Sequence, residues 1–340
     1  MSFDEDFFYH PARRVEAEQK MEQVLYDRWG AYGLGADRHK KLPMIGAVHL
    51  AAGFMIQEMM GCKVEYKDSD PPQVIPAHRD TLDVDPDEAF KSPAFKRFQT
   101  LVESLETTYH SVLGDVNWGG ILNIALDLRG ETLFMDMYDR PDEVKRTFSS
   151  IKGIIERFTD YISSRTGTTS ISVNRTVAHF REPVFLHSEC TNTMISASDY
   201  ERFLLPLDSV WSQQHRPFGI HHCGTDAHRF ARAYGKVPHL DFLDVGWGSD
   251  IKALRKSLPN TFFNIRQSPV EIVEQSEEQI HQCICSLVED SGNPFLTGLC
   301  CINMDDQVSD AKIAAIFKTV HELREKFGSD KRAGFEPKNI

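Results

Sequence analysis

Residues 216–231 read RPFGIHHCGTDAHRFA. A short apolar run, Phe218 to Ile220, ends in two histidines and a cysteine, and a glycine and a helix-like stretch follow. An unpaired buried imidazole costs free energy, so a strand that merely filled a core would end in Val or Leu. Two readings compete. In one, His221 and His222 are hydrogen-bonded core residues and Cys223 is a small buried hydrophobe. In the other, the strand end holds an ion. Side chains alternate along a strand, so His221 and Cys223 share a face while His222 leaves from the opposite one. One strand can therefore grip one ion through an H-x-C pair.

The strand-loop-helix order of this stretch recurs along most of the chain. From about residue 87, helical stretches (95–110, 141–164, 199–214, 226–234, 250–257, 269–290 and 309–327) alternate with short apolar runs. The runs are VNWGGILNIAL, PVFLHSE, PFGIHHCG, LDFLDVGW, TFFNIRQ and PFLTGLCCI. Several helices open on a cap or first-turn signal, as in RPDEVKR, SASDYER and SPVEIVEQ. Strands buried on both faces and alternating with helices imply a parallel sheet with crossover helices. The number of units favours a closed (β/α)8 TIM barrel over an open doubly wound sheet, and no GxGxxG follows a strand. Upstream, 11–32 is an amphipathic helix, LPMIGAVHLAAGFMIQEMMG a strand running into a helix that ends at Gly61, and CKVEYKD an exposed strand pair. The expected organisation is an N-terminal helical extension over 1–40 and a single catalytic barrel over 41–340.

Composition narrows the function classes. The chain has 340 residues, 41% hydrophobic and 26% charged, with a formal net charge of −12. No run approaches the ~20 apolar residues of a membrane span. Lys and Arg are scattered, which argues against a nucleic-acid surface. The N-terminus lacks the basic-then-apolar layout of a signal peptide, so a cytoplasmic location is expected. Seven cysteines without a secretion signal are expected to be free thiols or metal ligands rather than disulfides. Nothing in the chain argues against a homodimer.

In a barrel, reactive residues sit at the C-terminal ends of strands. That rule gathers Glu189, His221 to Cys223, Asp244, Trp247, Arg266, Gln267, Cys300 and Cys301 at one mouth. One imidazole and two thiolates suit Zn²⁺: His221, Cys223 and either Cys300 or Cys301, with a fourth position left open or filled by Glu189 until substrate arrives. Cys283 and Cys285 lie within a helix without sharing a face and are read as packing, as are Cys62 and Cys190. Asp226 and His228 fit the first half of the corrinoid-binding D-x-H-x-x-G, but Ala231 stands where Gly is required.

On these motifs the chain resembles the uroporphyrinogen decarboxylase superfamily, and within it the zinc-dependent, corrinoid-linked methyltransferases. GIHHCG is similar to the family's H-x-C-G strand, and the distant cysteine completes the pattern. VNWGGILNIALDLRGETLFMDMYDRPDEVKRTF, SASDYERFLLP and FLDVGWGSDIKALRKSLPNTFFNIRQSPVEIV follow the family's rhythm from about residue 40 to 325. The resemblance implies methyl transfer between a small molecule and the cobalt of a cobalamin carried by a separate corrinoid protein. The leading substrate class is an aromatic methyl ether, demethylated at oxygen; the alternative is methyl transfer to a thiol of the coenzyme M type. Glu189, His222 and Asp244 are the candidate catalytic residues. Asn117, Trp118, His187, Trp247 and Arg266 are candidates to hold the substrate, although the tryptophans also suit packing and Arg266 could simply pair with Asp244. The decarboxylases of the superfamily carry an arginine-rich R-Q-A-G-R signature near the N-terminus. Residues 41–54, KLPMIGAVHLAAGF, have no such pair, which argues against a porphyrinogen substrate. A non-catalytic zinc barrel and a metal-free, decarboxylase-like enzyme are the remaining alternatives.

Overall fold

A computed structural model describes residues 4–39, 44–45, 53–67, 72–114, 118–166, 179–301, 304 and 307–328. Nine strands lie among them: β1 (Met44–Ile45), β2 (Lys63–Glu65), β3 (Gln73–Ile75), β4 (Leu113–Gly114), β5 (Phe185–Ser188), β6 (Phe218–His222), β7 (Phe242–Val245), β8 (Phe262–Gln267) and β9 (Thr297–Cys301). Strands β5 to β9 form one sheet in chain order, every neighbouring pair parallel. β1 and β4 form a second parallel pair, while β2 and β3 make a short antiparallel ribbon. Each parallel step from β5 to β9 is bridged by helix, as the crossover between parallel strands requires. Every residue of β6, β7 and β8 is buried. That explains why these strands read as continuous apolar runs and not as an alternation.

The helices expected around β5 to β9 are present, except that 226–234 is a 3-10 turn, Ala227–Phe230, followed by the short helix Ala231–Tyr234, and two stretches divide. The stretch expected as one helix over 199–214 is two, Ala197–Phe203 and Leu205–Gln214, the second with Pro206 in its first turn. Proline lacks the amide that would continue the first helix. The stretch 269–290 likewise divides into Pro269–Glu274 and Glu277–Asp290, because Ser276 and Gln279 form a reciprocal capping box that starts a new helix.

One element differs in kind. The run VNWGGILNIAL was grouped with the strands, yet its second half is the first part of a helix, Ile121–Arg129. Ile121, Leu122, Ile124, Ala125 and Leu128 are its buried residues. Their spacing gives a helical stripe, and a continuous apolar run cannot by itself distinguish a buried strand from a buried helix. This helix matters below, because its N-terminus reaches the end of β5.

The N-terminal helices Glu5–Tyr9 and Pro11–Trp29 pack onto the rest of the molecule. Phe8 meets Phe54 edge-on at 5.2 Å, and Tyr32 stacks on Phe317 at 4.7 Å. Arg28 donates to Asp310 on the C-terminal helix Asp310–Gly328 at 2.6 Å. No described helix is long and apolar enough to cross a membrane.

Candidate metal centre at the strand ends

The register of the sheet sorts the polar strand-end residues into two groups. Ser188 lies opposite His221, His221 opposite Asp244, Asp244 opposite Asn264, and Arg266 opposite Cys300. By alternation His221, Asp244, Asn264, Arg266 and Cys300 occupy one face, and Cys223, one residue past the end of β6, continues it. His187, His222 and Cys301 belong to the other face, which packs against helices. Cys301 lies against the apolar cluster of Ile272, Ile280 and Ile313 and donates to Gln267 Oε1 at 3.2 Å. Of the two candidate cysteines on β9, Cys300 is therefore the one that shares a face with the H-x-C pair.

Three soft donors converge at this end of the sheet. The ligand atoms of Cys190, His221 and Cys223 all lie within 4.8 Å of one another, and among the described residues this is the one such group of His, Cys, Asp or Glu. Donors around a tetrahedral zinc at about 2.0–2.3 Å stand roughly 3.5–3.8 Å apart, so the group fits that ion after small adjustments. Cys190 begins the turn Cys190–Met194 directly after β5. Cys300 carries the right chemistry on the right face but falls outside this group. Burial pushes its thiol up to about 11, with Arg266 and Asn264 acting in the opposite direction.

His221 is prepared for a ligand. Its Nδ1 lies 2.6 Å from Asp244 Oδ2. Asp244 also accepts from Arg266 Nη2 at 2.7 Å and from Asn264 Nδ2 at 3.0 Å. Burial alone would raise the Asp244 carboxyl, but the Arg266 charge and then His221 outweigh it and hold it at about 2. An ionised carboxylate only accepts, so Nδ1 carries a proton. This is the carboxylate–histidine arrangement that orients metal-binding imidazoles. Burial and Arg266 oppose charge on the ring, but Asp244 and Cys223 prevail and raise its pKa, so a metal at Nε2 would take the place of a proton. The thiol of Cys223 is held well below its ordinary value, first by a hydrogen bond with Cys190 and then, against burial, by His221 and Arg266. Cys190 is raised by the same hydrogen bond and by burial. A Cβ on Gly224 would meet Thr193 Cγ2 at 2.1 Å, so the residue after the H-x-C pair has no room for a side chain.

His222 is committed elsewhere. Its Nε2 lies 3.0 Å from Asp226 Oδ1 and its Nδ1 2.8 Å from the Tyr234 hydroxyl. Burial lowers its pKa, and a neutral ring donates to Asp226 and accepts from Tyr234. No nitrogen remains for a metal or a substrate.

Glu189, fully buried, occupies the N-terminus of helix Ile121–Arg129. Its Oε2 accepts from the Leu122 amide at 2.8 Å and its Oε1 from the Asn123 amide at 3.1 Å. The residue before that helix is Gly120, which offers no side-chain cap, and a Cβ there would lie 2.4 Å from Glu189 Oε2. A carboxylate suits a helix N-terminus by both hydrogen bonding and the dipole. His187 braces it, with Nδ1 2.7 Å from Asp208 and Nε2 3.3 Å from Glu189. Burial opposes charge on that ring, but Asp208 and Glu189 prevail and raise it to about 10. The ring donates through Nδ1 to Asp208, Nε2 lies between the Glu189 carboxylate and the Ile121 amide, which is 3.1 Å away and placed to donate to it, and Tyr200 donates to the other oxygen of Asp208 at 2.6 Å.

The remaining expected site residues are dispersed. Trp118 is 1% exposed with its ring 5.3 Å from Phe185, and its indole N–H has no hydrogen-bond partner among the described residues. Trp247 is half-buried in the turn after β7. Arg266 pairs with Asp244. Asn117 lies outside the described residues. The residue that sequence reasoning set aside is Cys190. A signal was available: it follows Glu189 at the end of β5, the strand paired with the one that carries the H-x-C.

A sequence model of the family described as uroporphyrinogen decarboxylase (URO-D) matches residues 12–323. Among solved structures the chain is similar to a methyltransferase from Methanosarcina mazei, at 12% identity and a TM-score of 0.61, with 91% of each chain covered. That likeness concerns the fold, and with the family match it identifies the architecture as the (β/α)8 barrel. Nothing matches among curated proteins.

Proposed function

The chain belongs to the uroporphyrinogen decarboxylase family, and on that premise we propose that it is a zinc-dependent methyltransferase. It would move a methyl group between a small methylated compound and the cobalt of a separate corrinoid protein. The observation that carries this reading is the convergence of two thiols and an imidazole that Asp244 orients through Nδ1. The methyltransferase of similar fold supports the same direction.

His221 and Cys223 would hold the zinc together with a further thiolate, Cys300 in the family pattern or Cys190 by proximity. Zinc supplies a Lewis acid at the mouth of the barrel. The chain's own residues handle charge. An ether that gives up its methyl group is left as an oxyanion, and a thiol that accepts one must first lose its proton. Arg266 brings positive charge to this face while Asp244 holds it in place through two nitrogens. Such preorganised charge in a water-poor site stabilises a developing anion without reorganisation. We take an aromatic methyl ether as the leading substrate, with Trp247 and Asn117 as candidates to hold the ring.

The test is a methyl-transfer assay in which the purified chain, with zinc and a corrinoid protein, meets a panel of aromatic ethers, methylamines and thiols. Corrinoid methylation with an ether supports O-demethylation. Demethylation of methyl-corrinoid by a thiol instead selects the thiol acceptor. No transfer with any member, by a chain loaded with zinc, overturns the proposal.

A further inference from the structure

We infer that Cys190 is a ligand of the metal, positioned by the first turn of helix Ile121–Arg129 through Asn123. The inference rests on the reading that the chain holds zinc, and it names a ligand that the H-x-C pattern with a distant cysteine does not contain.

Two independent observations carry it. The first is the convergence itself: Cys190, and not Cys300, has its sulfur within 4.8 Å of the donor atoms of both His221 and Cys223. The second is the way this turn is mounted. Both chain neighbours of Cys190 are tied to the same helix turn. Glu189 accepts from the Leu122 and Asn123 amides, and the Thr191 amide donates to Asn123 Oδ1 at 2.9 Å. Asn123 is thus used twice, its backbone towards the residue before Cys190 and its side chain towards the residue after it. The Glu189 amide also donates to the His221 carbonyl at 3.3 Å, which ties the turn to the strand that carries the other two donors.

A cysteine that only filled space would need no such mount, since small buried hydrophobes are held by packing. Here the backbone amides on both sides of Cys190 are hydrogen-bonded, and the Glu189 carboxylate is held by two helix amides, next to a sulfur that lies near an imidazole and a second thiol. Groups that orient a ligand in this way change metal affinity when removed. Asn123 is a positioning residue, because it touches neither donors nor ion.

The test uses the full-length chain and metal binding, independent of turnover. Wild-type protein loaded with zinc is treated with iodoacetamide, with and without prior chelation, and modified cysteines are mapped by mass spectrometry. Separately, Cys190→Ser, Cys300→Ser and Asn123→Ala are reconstituted with cobalt(II), whose thiolate charge-transfer absorption grows with the number of coordinated thiolates. We expect Cys190 and Cys223 to be protected by zinc and released by the chelator. C190S should lose the absorption of one thiolate. N123A should keep the spectrum but bind zinc ~10-fold more weakly, with Asn123→Asp, which retains the acceptor, restoring affinity. A loss in C300S as well would mean that three cysteines ligate, which is compatible with a role for Cys190.

Full absorption in C190S, or Cys190 as reactive with zinc as without it, overturns the inference. If Cys190 proves unreactive in both states, the C190S spectrum decides; if C190S fails to fold, the alkylation map decides. A chain that binds neither zinc nor cobalt removes this inference together with the proposed function. A chain that binds metal through His221 and Cys223 while C190S is unchanged removes this inference alone.

Discussion

The two faces of the sheet formed by β5 to β9 carry similar side chains and put them to different uses. On the barrel face His221, Cys223, Asp244, Arg266 and Cys300 meet at the strand ends. On the helix face His187, His222 and Cys301 do. Both histidines of the HHC sequence are buried, and each has a carboxylate within 3.0 Å. The difference lies in what the second nitrogen faces. For His221 it faces two sulfurs; for His222 it accepts from Tyr234, whose hydroxyl in turn accepts from Asn192 at 3.2 Å. Burial and residue type do not separate a ligand from a structural histidine. The complete set of hydrogen-bond partners does.

The comparison breaks most directly at the metal. His221→Ala combined with Cys223→Ser should abolish zinc binding, measured as zinc per chain after gel filtration, while full occupancy in this variant would disprove the site. Next in size is Asp244→Asn. It removes the acceptor that fixes His221 and leaves Arg266 buried without its counter-charge. Breaking a buried pair on one side costs about 3–5 kcal/mol, and loss of the group behind a metal-binding imidazole weakens the metal 10–100-fold, as rough guides. Both chemical denaturation and zinc competition should therefore move together.

His222→Ala should separate the two readouts. It leaves the buried Tyr234 hydroxyl without its acceptor, at a cost of roughly 1–3 kcal/mol, while Asp226 keeps Arg229 and Tyr234 keeps the Asn192 amide. Zinc affinity should stay within about threefold of wild type, because the side chain leaves from the helix face. A loss of zinc comparable to that of His221→Ala would show that alternation is not what assigns these residues.

On the same helix face, His187 gives the contrast a pH dependence. Its folded pKa, raised to about 10, lies above the ordinary value near 6.5. The stability it contributes is therefore fully present below about pH 6.5 and is lost as pH rises through about 10. The difference in melting temperature between wild type and His187→Gln should be largest at pH 6 and shrink by pH 10. A difference that is constant across this range would show that His187 stays neutral and accepts from the Ile121 amide, 3.1 Å from Nε2.

How much of this was legible beforehand follows from what alternation and periodicity can carry. The runs that became β5 to β9, the helices between them and the shared face of His221 and Cys223 are all local properties, fixed by spacing within a few residues. The pairing of Asp244 with Arg266 was available as an alternative because both residues end strands. Helix Ile121–Arg129 was not legible, since GGILNIAL satisfies the patterns of a buried strand and of a buried helix alike. With that helix misassigned, the anchoring of Glu189 could not be read either, as its partners lie 66 and 67 positions away. Cys190 was set aside as packing for a related reason. Nothing within its own neighbourhood separates it from a packing cysteine; its nearness to His221 and Cys223 depends on where the next strand places them.

The smallest effect should come from Cys301. It neighbours Cys300 in sequence, and residue type alone gives no ground for choosing between them. The register pairs Arg266 with Cys300 and Gln267 with Cys301, so adjacent thiols leave the sheet in opposite directions. Cys301 meets the apolar side chains beneath helices Pro269–Glu274 and Asp310–Gly328 and makes one sulfur hydrogen bond to Gln267. Burial pushes its thiol up to about 12, and the sulfur is engaged on the face away from His221 and Cys223. Cys301→Ala removes one sulfur from a partly buried contact and should cost no more than about 1 kcal/mol, near the centre of the usual range for single substitutions. Zinc stoichiometry, zinc affinity and the cobalt spectrum should all be unchanged. If Cys301→Ala instead lost a thiolate from the cobalt spectrum, β9 would have to be shifted by one residue relative to β8. Because such a shift exchanges the two faces along the whole strand, Gly298 would turn to the helices and Leu299 to the barrel. An otherwise inconsequential cysteine therefore tests the register that places every other residue of the site.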